Sequence, residues 1–221
     1  MKLLKYVAAI PLFVLLFSCS KKEDQKATIA WDKWGVPHIT ADGIEGLFYA
    51  QGWAQMHNHA NLILELYGTS RGRAAEYWGQ EKLQNDILIH TMGFSELADE
   101  WQQQQDPELK TMYESFVAGM NAYAEAHPEV IDEENKAVLP MTVKDINMHS
   151  MYVVFTRFIG GRDLGRVQRW PDMGSNTYAI GPGRSSSGNA MLVQNPHLPW
   201  WGEFTLWESH LMLNDKTMYG A

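Results

Sequence analysis

The chain has 221 residues, 45% of them hydrophobic, enough to bury a sizeable core in one domain or two. Its formal net charge of −8 argues against nucleic acid as a partner, because bulk attraction to phosphates needs concentrated Lys and Arg. The single cysteine, Cys19, excludes an internal disulfide framework and any multi-cysteine zinc site.

Residues 1–18 have the pattern of a targeting signal. Lys2 and Lys5 form a positive start, and Ala8 to Phe17 is an apolar run too short to span a bilayer comfortably. Leu16-Phe17-Ser18-Cys19 resembles a bacterial lipobox, which implies cleavage before Cys19 and lipidation of its thiol. An ordinary secretory signal with an incidental cysteine is the alternative. Ser20 lacks the acidic character linked with inner-membrane retention, so the expected place is the cell envelope, periplasm-facing and lipid-anchored at the outer membrane. Loss of Lys2 and Lys5 leaves 16 basic against 26 acidic residues, a net of −10. Residues 19–27 are mostly polar and suit a flexible tether.

Residues 28–159 read as a mainly helical region. Thr28 to Thr40 predicts a short strand pair turning at Trp34-Gly35-Val36-Pro37. A long helix is expected from about Gly43 to Leu66, with Asp42 as its cap and Leu47, Ala50, Ala54, Leu62 and Leu66 at helical spacing. Gly79 is expected to cap a short helix through left-handed geometry. Further helices are expected over residues 81–101, 107–127 and 142–159. Asp106-Pro107-Glu108 is a strong start, with a cap, a first-position proline and an acidic first turn. Tyr113, Phe116, Val117, Met120 and Tyr123 make an apolar stripe suited to core packing. His57 and His59 invite a metal reading, but helix positions two apart do not share a face, and a polar stretch lining a groove fits better.

Residues 160–174 carry four glycines and five charges, the character of an exposed loop or an excised spacer. After them the composition turns to β. Asn176 to Gly181 and Ala190 to Gln194 predict an antiparallel pair around the turn-rich Pro182–Asn189, with Phe204 to Leu213 and Thr217 to Tyr219 continuing the sheet. Gly183-Arg184-Ser185-Ser186-Ser187-Gly188 lacks the spacing of a serine-hydrolase elbow.

An ordered set of phrases resembles the penicillin acylase family of N-terminal-nucleophile hydrolases. It runs from Gly35-Val36-Pro37-His38-Ile39 through Arg71-Gly72-Arg73-Ala74-Ala75-Glu76, Ala118-Gly119-Met120-Asn121-Ala122-Tyr123 and Gly174-Ser175-Asn176. It ends with Asn195-Pro196-His197-Leu198-Pro199-Trp200, which is closer to the acyl-homoserine-lactone and aculeacin acylases than to penicillin G acylases. The resemblance implies an α+β chain, a helical first-subunit region followed at Ser175 by the start of an αββα sandwich, truncated at residue 221.

The same resemblance implies an amide hydrolase that cuts itself at Gly174–Ser175, with the first and second subunits staying partners. Ser175 is then the nucleophile, its freed α-amine the base, and His197 orients both. Asn176 holds the new terminus. A small-molecule acyl amide is the expected substrate. Met151, Val154, Phe155 and Phe158 are candidates for the acyl pocket, with ordinary core as the competing reading. No cofactor is expected for the chemistry, and the family's oxyanion groups and most of its calcium ligands fall after Ala221. Structural calcium belongs to a longer protein, and this fragment is expected to be inactive alone. A lipid-anchored, non-catalytic protein that kept the fold and binds amphiphiles is the alternative.

Overall fold

The computed structural model describes residues 26–160 and 174–221. The chain begins with the hairpin β1 (Ala27–Trp31) and β2 (Pro37–Ala41). Asp32 makes the turn: its Oδ1 accepts from the backbone N–H groups of Trp34 at 2.8 Å and Val36 at 3.0 Å. Alternation along β2 buries Pro37, Ile39 and Ala41 and leaves His38 and Thr40 on the other face.

Helix α1 spans Ile44–Ser70, a turn longer than its expected end, with a kink at His59. It packs lengthwise on α5 (Pro107–Ala126). Two glycines set that approach. A Cβ on Gly52 would overlap the carbonyl oxygen of Phe116, and one on Gly119 would overlap that of Tyr49. The two backbones therefore touch, and only glycine fits at either point. Asp106 caps α5 as expected, accepting from the Glu108 N–H at 2.8 Å. Of the predicted stripe, Val117, Met120 and Tyr123 are buried against Met56, Ala60, Ile63 and Leu64, while Tyr113 and Phe116 are half-buried.

Several expectations needed correction. Asp42 does not cap α1, whose N-cap is Gly43 with no side-chain hydrogen bond. The helix expected over 81–101 is two helices, α3 (Leu83–Thr91) and α4 (Phe94–Gln104). They are separated at Gly93, whose left-handed φ of +68° ends one and starts the other. Gly79 ends α2 (Ala74–Trp78) with φ +114° and ψ 168°, which is not the left-handed helical cap expected of it. Helix α6 (Val143–Val153) opens with the capping box of Thr142 and Asp145, but widens into a π-helical segment, Val154–Ile159.

Asp145 does more than cap. The Arg71 guanidinium grips it in a fork, Nε to Oδ1 at 2.6 Å and Nη2 to Oδ2 at 2.7 Å. Arg71 also donates to the carbonyls of Val138 at 2.6 Å and Pro140 at 3.0 Å. One half-buried cation thus fastens the end of α1 to the start of α6.

Strands β5 (Ser209–Leu213) and β6 (Lys216–Gly220) complete a four-stranded sheet of order β1-β2-β5-β6, with β2 and β5 parallel. Ile39, Ala41 and Leu211 press its apolar face onto Leu47, Ala50 and Ala54 of α1. On the opposite face the His38 and His210 Nδ1 atoms lie 2.9 Å apart, so one ring must accept there. The late strands therefore join the opening hairpin, and do not continue the β3–β4 pair as the sequence suggested. Strands β3 (Gly174–Ile180) and β4 (Met191–His197) form a separate two-stranded ribbon. The fold is α+β. Among the described residues no helix is long and apolar enough to cross a membrane.

Candidate active site

The ribbon carries the predicted catalytic residues. Its turn is built from Pro182-Gly183-Arg184 and from Gly188 at φ +71°, with the Ser185 and Ser187 hydroxyls 2.8 Å apart. This turn fixes the register. Gly174 pairs with His197, Ser175 with Pro196 and Asn176 with Asn195. Because side chains alternate along a strand, Asn176, Asn195 and His197 share the face on which Gly174 sits, and Ser175 points to the other.

The Ser175 hydroxyl donates to the Gly174 carbonyl oxygen at 2.6 Å. It therefore lies against the carbonyl of the bond it is expected to attack. His197 is brought to Gly174 rather than to the serine hydroxyl: its Nδ1 would be 3.6 Å from a Cβ placed on Gly174. Its Nε2 is 3.0 Å from Asn195 Nδ2 and 3.3 Å from Asn176 Nδ2. Asn195, which sequence reasoning passed over, stands beside His197 on this face. Its signal was the two-residue spacing to His197, which puts both on one strand face.

An apolar cavity of about 320 Å³ opens at the end of β4, lined by Pro196, Leu198, Trp200, Phe204, Thr205 and Leu206 among others. That is the low end of the volumes found for small-molecule sites. The pocket candidates divide around it. Phe158, exposed on the π-helical segment, meets Phe204 edge-on at 6.3 Å, so it stands beside the cavity wall. Val154 is exposed on the same segment. Phe155 packs on Phe94 at 5.7 Å, and Met151 is fully buried with Ile89, Phe94 and Ala98 in the helical core. A half-buried Arg157–Glu203 ion pair ties the π-helical segment to the turn bearing Phe204. That pairing had no sequence signal.

Other candidates fall away on geometry. Gly68-Thr69-Ser70-Arg71-Gly72 has the elbow spacing, a string the sequence reading overlooked, but it ends a helix. Ser70 is fully buried and its hydroxyl donates to the Tyr67 carbonyl at 3.0 Å. His57 stacks on Trp53 with ring centroids 5.7 Å apart and is hydrogen-bonded to Asn58. Among the described residues no three His, Cys, Asp or Glu side chains are grouped to hold a metal ion. The expected signal and Cys19 lie outside the described residues, as does most of the 160–174 spacer.

The chain has the α+β fold class of a penicillin acylase-like region, with helices followed by a Gly-Ser-Asn strand and a histidine paired across from its glycine. The penicillin amidase family model matches residues 26–221, and the chain belongs to that family. It is similar to the acyl-homoserine lactone acylase PvdQ of Pseudomonas fluorescens strain Pf0-1, at 25% identity over 83% of this chain and 28% of the relative. The penicillin acylase 2 proenzyme of Pseudomonas sp. strain SE83 is 24% identical over 75% of this chain and 29% of its own length. A thermostable penicillin G acylase from Alcaligenes faecalis shares the fold, with a TM-score of 0.54 and 22% identity over 61% of this chain and 74% of that one. The chain spans under a third of the length of these two curated relatives.

Proposed function

We propose that this chain is the leading part of an acylase precursor that cuts itself between Gly174 and Ser175. The mature enzyme then hydrolyses the amide of a substrate with a hydrophobic acyl chain. The observation that carries this reading is the ribbon register, with the Ser175 hydroxyl 2.6 Å from the Gly174 carbonyl oxygen and His197 opposite Gly174. Membership of the penicillin amidase family supports it.

A serine hydroxyl is a weak nucleophile until a base takes its proton. Cutting before Ser175 frees an α-amine, whose ordinary pKa near ~7.7–8.0 suits that task at neutral pH. In self-cleavage the Ser175 Oγ–carbon bond forms as the carbon–nitrogen bond breaks, and the Ser175 nitrogen leaves as the amine. Water then hydrolyses the Gly174 ester. In turnover the same oxygen attacks the substrate carbonyl, the amine leaves, and water releases the acid.

The substrate is an acyl-homoserine lactone, a lipopeptide or a penicillin-type amide. The similarity to proteins named acyl-homoserine lactone acylase supports placing the first ahead of the others. The cavity beside β4, with Phe158 at its edge, is the proposed start of the acyl pocket. No cofactor enters the chemistry, and any calcium has a structural role in a longer protein. The relatives' greater length supports the reading that 221 residues alone do not turn over substrate. We place the protein in the bacterial envelope, held by lipid on Cys19; loss of the lipid label and release from membranes in Cys19→Ser would test that.

Mass spectrometry of the purified chain and of a longer version tests the central claim. The expected result is a product starting at Ser175, absent in Ser175→Ala. An intact bond in the longer protein sinks the acylase reading and leaves an amphiphile-binding protein that kept the fold. Cleavage persisting in Ser175→Ala points to an outside protease.

A further inference from the structure

Two asparagine amides converge on one nitrogen of His197. Asn195 Nδ2 is 3.0 Å and Asn176 Nδ2 is 3.3 Å from His197 Nε2. The register explains this, because Asn176 pairs with Asn195 and Gly174 with His197, all on one face of the ribbon. An amide NH₂ can only donate, so a ring nitrogen that receives two of them must offer its lone pair. A neutral imidazole then carries its proton on the other nitrogen, Nδ1. That is the atom 3.6 Å from where a Cβ on Gly174 would stand.

We propose that Asn176 and Asn195 are positioning residues that lock His197 in its Nδ1–H tautomer, so that the ring meets the Gly174–Ser175 peptide as a hydrogen-bond donor and not as a base. The proposal rests on the self-cleavage reading above and sharpens it. With His197 as donor, the group left to take the serine proton in the mature enzyme is the Ser175 α-amine. The faces of the ribbon agree with this division. Ser175 pairs with Pro196 and lies on the face away from His197, and its hydroxyl is already engaged with the Gly174 carbonyl. The nucleophile and the imidazole thus lie on opposite faces of the ribbon beside the scissile peptide. The ring is also held against the preference of free histidine, which in water carries its neutral proton mainly on Nε2.

Imidazole ¹⁵N spectra of the 221-residue chain carrying Ser175→Ala, which keeps the 174–175 bond intact, test the tautomer directly. The His197 signals are identified by their loss in His197→Gln. The expected pattern is a protonated, pyrrole-type Nδ1 and a pyridine-type Nε2. Asn195→Asp places an obligate acceptor at Nε2 and reverses the pattern, and Asn176→Ala with Asn195→Ala returns the ring to the free-histidine preference. A pyrrole-type Nε2 with both asparagines present overturns the proposal. In the chain that retains Ser175, Asn195→Asp should slow appearance of the Ser175-started product roughly tenfold or more, as a wrong tautomer does in a serine triad. An unchanged rate alongside a reversed tautomer also overturns it. A longer protein never cut at 174–175 sinks the function reading, while the spectra still decide the tautomer.

Discussion

The helices between Ile44 and Val153 and the ribbon between Gly174 and His197 are held by different forces. In the helical part, α1 and α5 touch at the backbone and Arg71 is saturated by a carboxylate, two carbonyls and the Tyr77 hydroxyl. In the ribbon every residue of β3 and β4 except Ile180 is exposed, and order comes from the ladder and from short side-chain bonds. Stability therefore resides in one region and the proposed chemistry in the other. Substitutions should separate the two properties.

The largest loss is expected at Arg71. Arg71→Met leaves Asp145, whose side chain is 4% exposed, without its cation. Breaking a buried pair from one side costs about 3–5 kcal/mol, to be read as a lower urea midpoint at unchanged slope. Gly119→Ala comes next. Its methyl would overlap the Tyr49 carbonyl oxygen, so α1 and α5 must part along their contact. A loss of about 3 kcal/mol is expected from overpacking. Gly183→Ala in the ribbon turn is the control, since nothing lies within 4 Å of its added carbon. Equal effects at the two glycines would break the comparison.

Acid should act on the helical part first. Burial pushes the His149 imidazole down to about 4, against the opposing pull of the Glu203 carboxylate and a backbone hydrogen bond with Leu66. Its Nδ1 has no hydrogen-bond partner and its ring lies 4.9 Å from Tyr67. The folded chain keeps this ring neutral at pH values where the unfolded chain protonates it. Its contribution is therefore complete above the ordinary pKa of 6.5 and is lost as pH falls towards 4. The loss across that window is roughly 3 kcal/mol, from about 1.36 kcal/mol per pKa unit. His149→Phe should flatten the urea midpoint between those pH values, and an unchanged slope would show that other groups set it.

Local signals were legible in the sequence and long-range ones were not. Asp106-Pro107-Glu108 announced α5 because a cap and a first-turn proline act within four residues. The turn residues from Pro182 to Asn189 announced the ribbon for the same reason. Gly119 and Asn121 stood out only as parts of a phrase. Gly119 is needed for the α1 contact, and Asn121 clasps the Met141 backbone through both of its amide atoms, at 2.9 and 2.8 Å. Neither reason can be seen without the partner. The β2–β5 pairing joins residues 38 and 210, and nothing near either one specifies it. At the candidate site, Ser175 and His197 stand out only through the family phrase. That His197 faces Gly174, with Ser175 on the other side, follows from the register and needed the hairpin to be built.

The smallest stability effects are expected in the ribbon, and they sharpen the comparison most. Leu192 is 62% exposed on β4, so Leu192→Ser should change unfolding free energy by no more than about 0.5 kcal/mol. Ser175→Ala should be as mild, since it removes one hydroxyl from an exposed strand. Their effects on the chain should differ completely, with the Ser175-started product retained in the first and absent in the second. A loss near 2 kcal/mol at Leu192 would mean that the ribbon is packed against other parts of the protein in solution. The boundary between stability and chemistry would then lie elsewhere. If both variants stay as stable as the parent while only Ser175→Ala stays whole, the helices hold the fold and the ribbon carries the reaction.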